Sequence, residues 1–383
     1  MTTEDKEQLN RQMDVIVQRA ANSIGYPFAT DFNYSELYPL LGYSLNNIGD
    51  PFIESTYKVS SRALEREVLA FFAELFRAPK DNWWGYATNG GSEGNLYGLY
   101  VARELYSRAI VYYSTSSHYS VPKSIHLLGM QSIIIRTQAN GEMDYEDLEA
   151  SIKSNRQRPV IVVANVGTTM TEAKDNVATI RQLLKDTAIN SYYIHCDAAL
   201  AGNYLPLLEE DPTFDFAHGA DSIACSGHKF IGSPMPCGVV IVRKNYKDRI
   251  GQPVPYIGSL DSTITGSRNG HGPLFLWYAI KKYGREGLVQ RAVESVSLAS
   301  YTQSRLQAAG IPAWRNRNAI TLVFPEPALS IRAKWQLATE AGQSHLICMP
   351  GVSKETIDHF VDEISIVPSK KDAEESGEYM LSY

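Results

Sequence analysis

The chain has 383 residues, 44% of them hydrophobic and 20% charged, enough to bury a large core and unlike a disordered chain or a small stapled scaffold. Lys and Arg number 36 against 42 Asp and Glu, a formal charge of −6 that argues against a nucleic-acid binder. Cys196, Cys225, Cys237 and Cys348 form no Cys-x-x-Cys pair, and no apolar run approaches the ~20 residues that cross a bilayer. With a polar start at Met1–Lys6, the expectation is a soluble cytoplasmic protein with neither a disulfide framework nor a metal site, no membrane partner and no nucleic-acid partner.

A polar helix is predicted from Glu4 to about Ala21, then a Tyr/Phe/Pro-rich stretch, then a helical pattern over Ser60–Phe76. From Asn82 to about Lys244 short β-rich runs alternate with helical stretches. The runs are Ala109–Tyr113, Ser132–Ile135, Val160–Val166, Tyr192–Cys196, Ser222–Cys225 and Gly238–Val242. The helices are expected at Ser92–Tyr106, Asp144–Lys153 and Val177–Thr187. β-runs apolar on both faces, alternating with helices, predict an α/β core with a largely parallel sheet. Residues 245–273 read as loop, Leu274 to about Ala309 as one long amphipathic stretch, and 311–367 as a smaller α/β domain. The expected organisation is an entry segment (1–50), a large domain (51–285), a small domain (286–368) and a charged tail (369–383).

Three fragments carry chemistry. Thr88-Asn89-Gly90-Gly91-Ser92-Glu93-Gly94-Asn95 opens a helical pattern. Glycines let the backbone approach an anion, and a helix N-terminus offers free N–H groups. A serine cap on an ordinary helix is the plainer reading of that fragment. His195-Cys196-Asp197-Ala198-Ala199 ends an apolar run, where α/β sheets place ligand-binding groups, though a turn aspartate would look the same. Ser226-Gly227-His228-Lys229 follows another β-run. An amine in a partly apolar site has a lowered pKa and can form a Schiff base with an aldehyde. A fourth piece, His118, follows Ala109–Tyr113 and could stack on a ring. Together the pieces suit pyridoxal phosphate, which needs a phosphate cradle, a lysine for its aldehyde and a carboxylate for its ring nitrogen.

On these residues the chain resembles the group II pyridoxal-phosphate amino-acid decarboxylases. The likeness extends through Ser44-Leu45-Asn46-Asn47-Ile48-Gly49-Asp50-Pro51, Trp84-Gly85-Tyr86, Asn165-Val166-Gly167-Thr168-Thr169 and Gly266-Ser267-Arg268-Asn269-Gly270-His271. It is similar to the bacterial histidine and plant serine decarboxylases. The runs Gly49–Ser55 and Lys334–Ala338 look more like the serine branch, where the histidine enzymes tend to carry Cys-Gly-Asp-Trp instead of Ile48-Gly49-Asp50-Pro51.

The resemblance implies an aspartate-aminotransferase-like α/β fold (fold type I): a large domain with a mostly parallel seven-stranded sheet, plus a smaller C-terminal α/β domain. It implies Lys229 as the Schiff-base lysine, His118 as the ring-stacking residue facing substrate, and Asp197 as the pyridinium partner. Ala199 would pack on the other ring face. Gly91, Ser92, Ser226 and His228 would hold the phosphate, with Thr168 or Thr169 near the ring oxygen. Tyr256 is the expected proton donor on a loop reaching a partner subunit, in a homodimer with shared sites or a tetramer. Tyr26, Phe52, Tyr57 and Ser267 are expected to line the substrate pocket. The reaction expected is α-decarboxylation of serine or histidine to a primary amine, with a slight lean to serine. An aminotransferase or side-chain lyase is the alternative, with Arg315 or Arg317 as carboxylate anchor, and a non-catalytic relative the third.

Overall fold

The computed structural model describes residues 1–255 and 259–366. Helix α1 (Thr3–Ala20) opens the chain, and α2 (Arg62–Leu75) leads to β1 (Trp84–Thr88). Then come α3 (Gly91–Leu105), β2 (Ile110–Ser114), α4 (Ser120–Leu127), β3 (Gln131–Ile135), α5 (Tyr145–Lys153), β4 (Val160–Asn165), α6 (Val177–Asp186) and β5 (Tyr192–Asp197). The short α7 (Leu205–Leu208), β6 (Ser222–Ser226), β7 (Gly238–Val242) and the short α8 (Lys244–Lys247) follow. The remainder is the ribbon β8 (Gln252–Val254) and β9 (Ser259–Asp261), α9 (His271–Ala308), β10 (Thr321–Pro325), α10 (Leu329–Trp335), β11 (Ala338–Glu340), β12 (Gln343–Ile347) and α11 (Lys354–Ile366). The chain divides into two compact units, 28–293 and 1–27 with 294 onward.

The first unit holds a seven-stranded sheet in the order β1-β7-β6-β5-β4-β2-β3. Only β7 runs against its neighbours among the described strands of this sheet. This is the mostly parallel α/β core that the sequence predicts. Central strands β4 and β6 are buried along their whole length, which is why they read as continuous apolar runs. Helices start where side chains satisfy their free N–H groups: Asp144 accepts from Glu146 and Asp147, and Asn176 from Thr179. The second unit carries the three-stranded antiparallel sheet β10-β12-β11.

Three local expectations change. Trp84–Thr88, absent from the β-runs read above, is an edge strand; Trp and Tyr fit a pleated surface, but with Gly85 between them they make no aliphatic run. The loop-like 245–273 contains the β8–β9 ribbon. The long amphipathic stretch begins at His271 and breaks at Gly284, whose φ of 62° is a left-handed value that glycine adopts without strain.

Candidate active site

The carboxyl ends of β1, β4, β5 and β6 lie along one edge of the sheet. Asn165 is in register with Asp197, and Asp197 with Ala224. On the other side Ser226 pairs with Gly238, and Gly238 with Thr88. Register alone therefore places the Asp197, Lys229 and Gly91 fragments at one end of the sheet. Gly90, at φ 139°, turns the chain from β1 into α3.

Helix α3 lies against this sheet on a face of three glycines at i, i+3 and i+7. A Cβ at Gly91 would stand 2.7 Å from Ser226 Oγ, one at Gly94 2.6 Å from Ala224 Cβ, and one at Gly98 2.3 Å from His195 Nδ1. Close approach brings Asn95, between them on the helix, to the buried end of β5. Its Nδ2 donates to Asp197 Oδ2 at 2.8 Å, and the Ala199 N–H donates to Asp197 Oδ1 at 3.2 Å. Asp197 is buried, so its charge is held by directed donors and not by water.

Lys229 follows β6 across Gly227 and His228. Burial pulls its ammonium below the usual lysine range, against the opposing pull of the Asp197 and Glu172 carboxylates. Burial also lowers the His118 imidazole; Asp197 works against that shift and Lys229 adds to it. Three residues separated in sequence thus share one electrostatic site.

The Gly91 N–H donates to Ser226 Oγ at 3.2 Å, and Ala199 Cβ lies 3.4 Å from where a Gly91 Cβ would be. His228 Cε1 lies 3.6 Å from a Cβ built on Gly90, and its Nδ1 is 2.8 Å from the Cys237 carbonyl. Ser92 is exposed on the first turn of α3. Gly91, Ser226, His228 and Ala199 therefore converge. Thr168 is buried and its Oγ1 accepts from the Ala173 N–H at 3.0 Å, while Thr169 is exposed.

Two of the substrate candidates, Tyr57 and Ser267, bond to residues two positions apart, Ser44 and Asn46. Ser267 is exposed, and its Oγ accepts from Asn46 Nδ2 at 3.1 Å. Next to it, Arg268 forms a buried ion pair with Glu65, which also accepts from Asn47 Nδ2 and the Ala87 N–H. Phe52 packs edge-on against Trp83, and the Tyr57 hydroxyl donates to the Ser44 carbonyl; both rings are exposed. Tyr26 is exposed in the other compact unit. Tyr256 lies outside the described residues. Arg315 is bound locally, to the Ala319 carbonyl and Ser300 Oγ, both at 2.8 Å.

Sequence reasoning passed over Asn95, Ser120 and Glu172. Glu172 is fully buried at φ 52° and accepts from the Tyr204 hydroxyl. The glycine spacing along α3 was the available signal for Asn95, since it marks a helix face with no room for side chains. Nothing local marks Glu172.

The model of the pyridoxal-dependent decarboxylase conserved domain matches residues 32–323. The histidine decarboxylase of Mesorhizobium japonicum is 48% identical over 362 residues, covering 94% of this chain and 98% of the relative. That of Pseudomonas entomophila is 44% identical, covering 95% and 91%. Among solved structures, L-methionine decarboxylase from Streptomyces sp. 590 superimposes with a TM-score of 0.89 at 25% identity, covering 96% of each chain. The glutamate decarboxylase of Lactobacillus brevis shares the fold, with a TM-score of 0.81 at 16% identity over all of this chain and 94% of the other.

Proposed function

The chain belongs to the pyridoxal-dependent decarboxylase family, and from that premise we propose L-histidine as its substrate, with histamine and CO2 as products. The coarser activity is established: this is a pyridoxal-phosphate-dependent amino-acid decarboxylase, a carbon–carbon lyase. Histidine is supported by the names of relatives matching nearly the whole chain. Serine remains the second reading because the Gly49–Ser55 and Lys334–Ala338 runs resemble that branch.

The observation that carries the site assignment is the convergence of Asp197, Lys229 and His118 with Gly91, Ser226 and His228. The donor set fits a phosphorylated aromatic aldehyde: a buried carboxylate, an amine with lowered proton affinity, and a helix N-terminus kept open by glycine. Lys229 Nζ would hold the aldehyde carbon, and Asp197 would accept the ring N–H. Gly91, Ser92, Ser226 and His228 would bind the phosphate, with Thr168 or Thr169 at the ring oxygen and His118 and Ala199 on the two ring faces. When bound, the protonated ring is the electron sink for the pair left at Cα as CO2 departs. The protein's part would be to orient the Cα–carboxylate bond of the substrate and to favour the transition state over the bound substrate. Tyr256 would return a proton to Cα, and Phe52, Tyr57 and Ser267 would contact the side chain.

A homodimer with shared sites, or a tetramer of such dimers, belongs to this reading. Its support is α1, which buries no residue and exposes Leu9, Met13, Ile16 and Val17. Light scattering on the purified chain tests the assembly. The decisive test of function is an amine-product screen over the natural amino acids. Histamine as the main product supports the reading, ethanolamine turns it to serine, and no amine with any amino acid refutes it.

A further inference from the structure

The side chain of Asn95 makes three hydrogen bonds, all to groups of the site. Its Nδ2 donates to Asp197 Oδ2 at 2.8 Å and to Ser120 Oγ at 3.1 Å, and its Oδ1 lies 3.0 Å from His195 Nε2. The amide cannot be turned over, because Oδ1 would then face a carboxylate that offers no hydrogen. Burial lowers His195 to about 4, so it is neutral at neutral pH. With Asn95 Oδ1 as acceptor, His195 carries its hydrogen on Nε2, and its Nδ1 accepts from Ser222 Oγ at 2.7 Å. The direction of every bond around Asn95 is thereby fixed.

That direction passes to His118. Ser120 Oγ accepts from Asn95 and has one hydrogen of its own, and His118 Nδ1 is 2.8 Å away. The Ser120 backbone N–H points at the same Nδ1 from 3.2 Å. A nitrogen receiving an N–H is an acceptor, so the hydrogen of the neutral imidazole sits on Nε2.

We propose that Asn95 and Ser120 are positioning residues for the decarboxylation: one amide and one hydroxyl link the Asp197 carboxylate to His118 and hold that imidazole neutral with its hydrogen on Nε2. The inference rests on the function proposed above for Asp197 and His118. It gives one helix residue control over both sides of the site. The same Asn95 amide that orients the carboxylate expected to meet the ring nitrogen also donates to the hydroxyl that stands beside His118 Nδ1. The charged groups bearing on His118 are Asp197 from β5 and Lys229 from beyond β6, and on its own segment the Tyr119 ring lies 4.2 Å away. Protonating His118 on Nδ1 forfeits the Ser120 donor, so removing that donor raises the affinity for the second proton.

The test uses the full chain labelled with ¹⁵N,¹³C-histidine, with His118→Asn to assign the resonance. Wild-type protein is expected to show the Nε2–H form of His118. Ser120→Ala is expected to raise the His118 midpoint by about half to one pH unit, the size of one net hydrogen bond. Ser120→Thr, which keeps the hydroxyl, should return it to the wild-type value. An Nδ1–H tautomer in the wild type overturns the proposal without any variant, and so does an unmoved midpoint in folded Ser120→Ala. These spectra are recorded with and without added pyridoxal phosphate and need no substrate. A chain that makes no amine therefore refutes the proposed function and leaves this readout intact.

Discussion

Replacing Gly91 with alanine tests the cradle directly. The new Cβ would sit 2.7 Å from Ser226 Oγ and 3.4 Å from Ala199 Cβ, so the hydroxyl must move by about half an ångström or more to reach ordinary contact. Ser226 is buried at the end of β6, where its backbone is fixed by the pairing with Gly238, so only its side chain can turn. Turning it breaks the bond from the Gly91 N–H, worth about 1 kcal/mol, and adds overpacking of about 1–3 kcal/mol. The helix gains about 0.5–1 kcal/mol from alanine, leaving a net of about 1–3 kcal/mol acting on the groups that would hold phosphate. The expected result is cofactor binding weakened about 10- to 100-fold, together with a melting temperature of the cofactor-free protein lowered by a few degrees. Fluorescence titration with pyridoxal phosphate, alongside melting curves, measures both. Gly94→Ala is the control: its Cβ would meet Ala224 Cβ at 2.6 Å, a group that cannot rotate away, so there the loss falls on stability. A Gly91→Ala protein binding the cofactor within twofold of wild type would refute the cradle assignment.

Asp197→Asn keeps the shape of the site and removes its charge; amine formation is expected to fall on the order of 10²-fold or more while the cofactor is retained, read by turnover and bound-cofactor absorbance. His195 gives a pH signature in stability. Its folded midpoint of about 4 lies below the ordinary 6.5, so between these values the unfolded chain binds more protons and folding weakens as pH falls. The contribution is full above pH 6.5 and about 3 kcal/mol smaller at pH 4. Urea midpoints at pH 7 and 5 should therefore separate more in wild type than in His195→Gln, and equal separations would contradict the buried neutral state.

Asp197, Lys229, His118 and the Gly90–Ser92 turn stood out in the sequence because one cofactor demands those residue types after strands of an α/β sheet, and their convergence follows from the strand register. The core strands were legible for a related reason, since a strand buried on both faces is a short continuous apolar run. Asn95 was hidden because its partners Ser120, His195 and Asp197 are 25, 100 and 102 residues away, and its one local signal was the glycine spacing around it. Strand β1 was obscured by its Trp84-Gly85-Tyr86 composition, which makes no aliphatic run, and the break at Gly284 by an amphipathic pattern that continues on either side. The substrate candidates Phe52, Tyr57 and Ser267 were chosen by resemblance, and their observed partners are Trp83, Ser44 and Asn46.

The reversed strand β7 also works as a ruler. It begins at Gly238, where β1 and β6 end, and a side chain there would collide with the Cys225 carbonyl at 2.4 Å and with Thr88 Oγ1 at 2.8 Å. The turn at Gly91 and the turn that carries Lys229 thus both spring from strand ends held in register by one paired residue. A slip of one residue would displace one anchor from the other by about 3.3 Å and invert the faces of the strand. Any molecule gripped at both ends must match that fixed length, so the pairing of three strands selects for size before any side chain reads its chemistry.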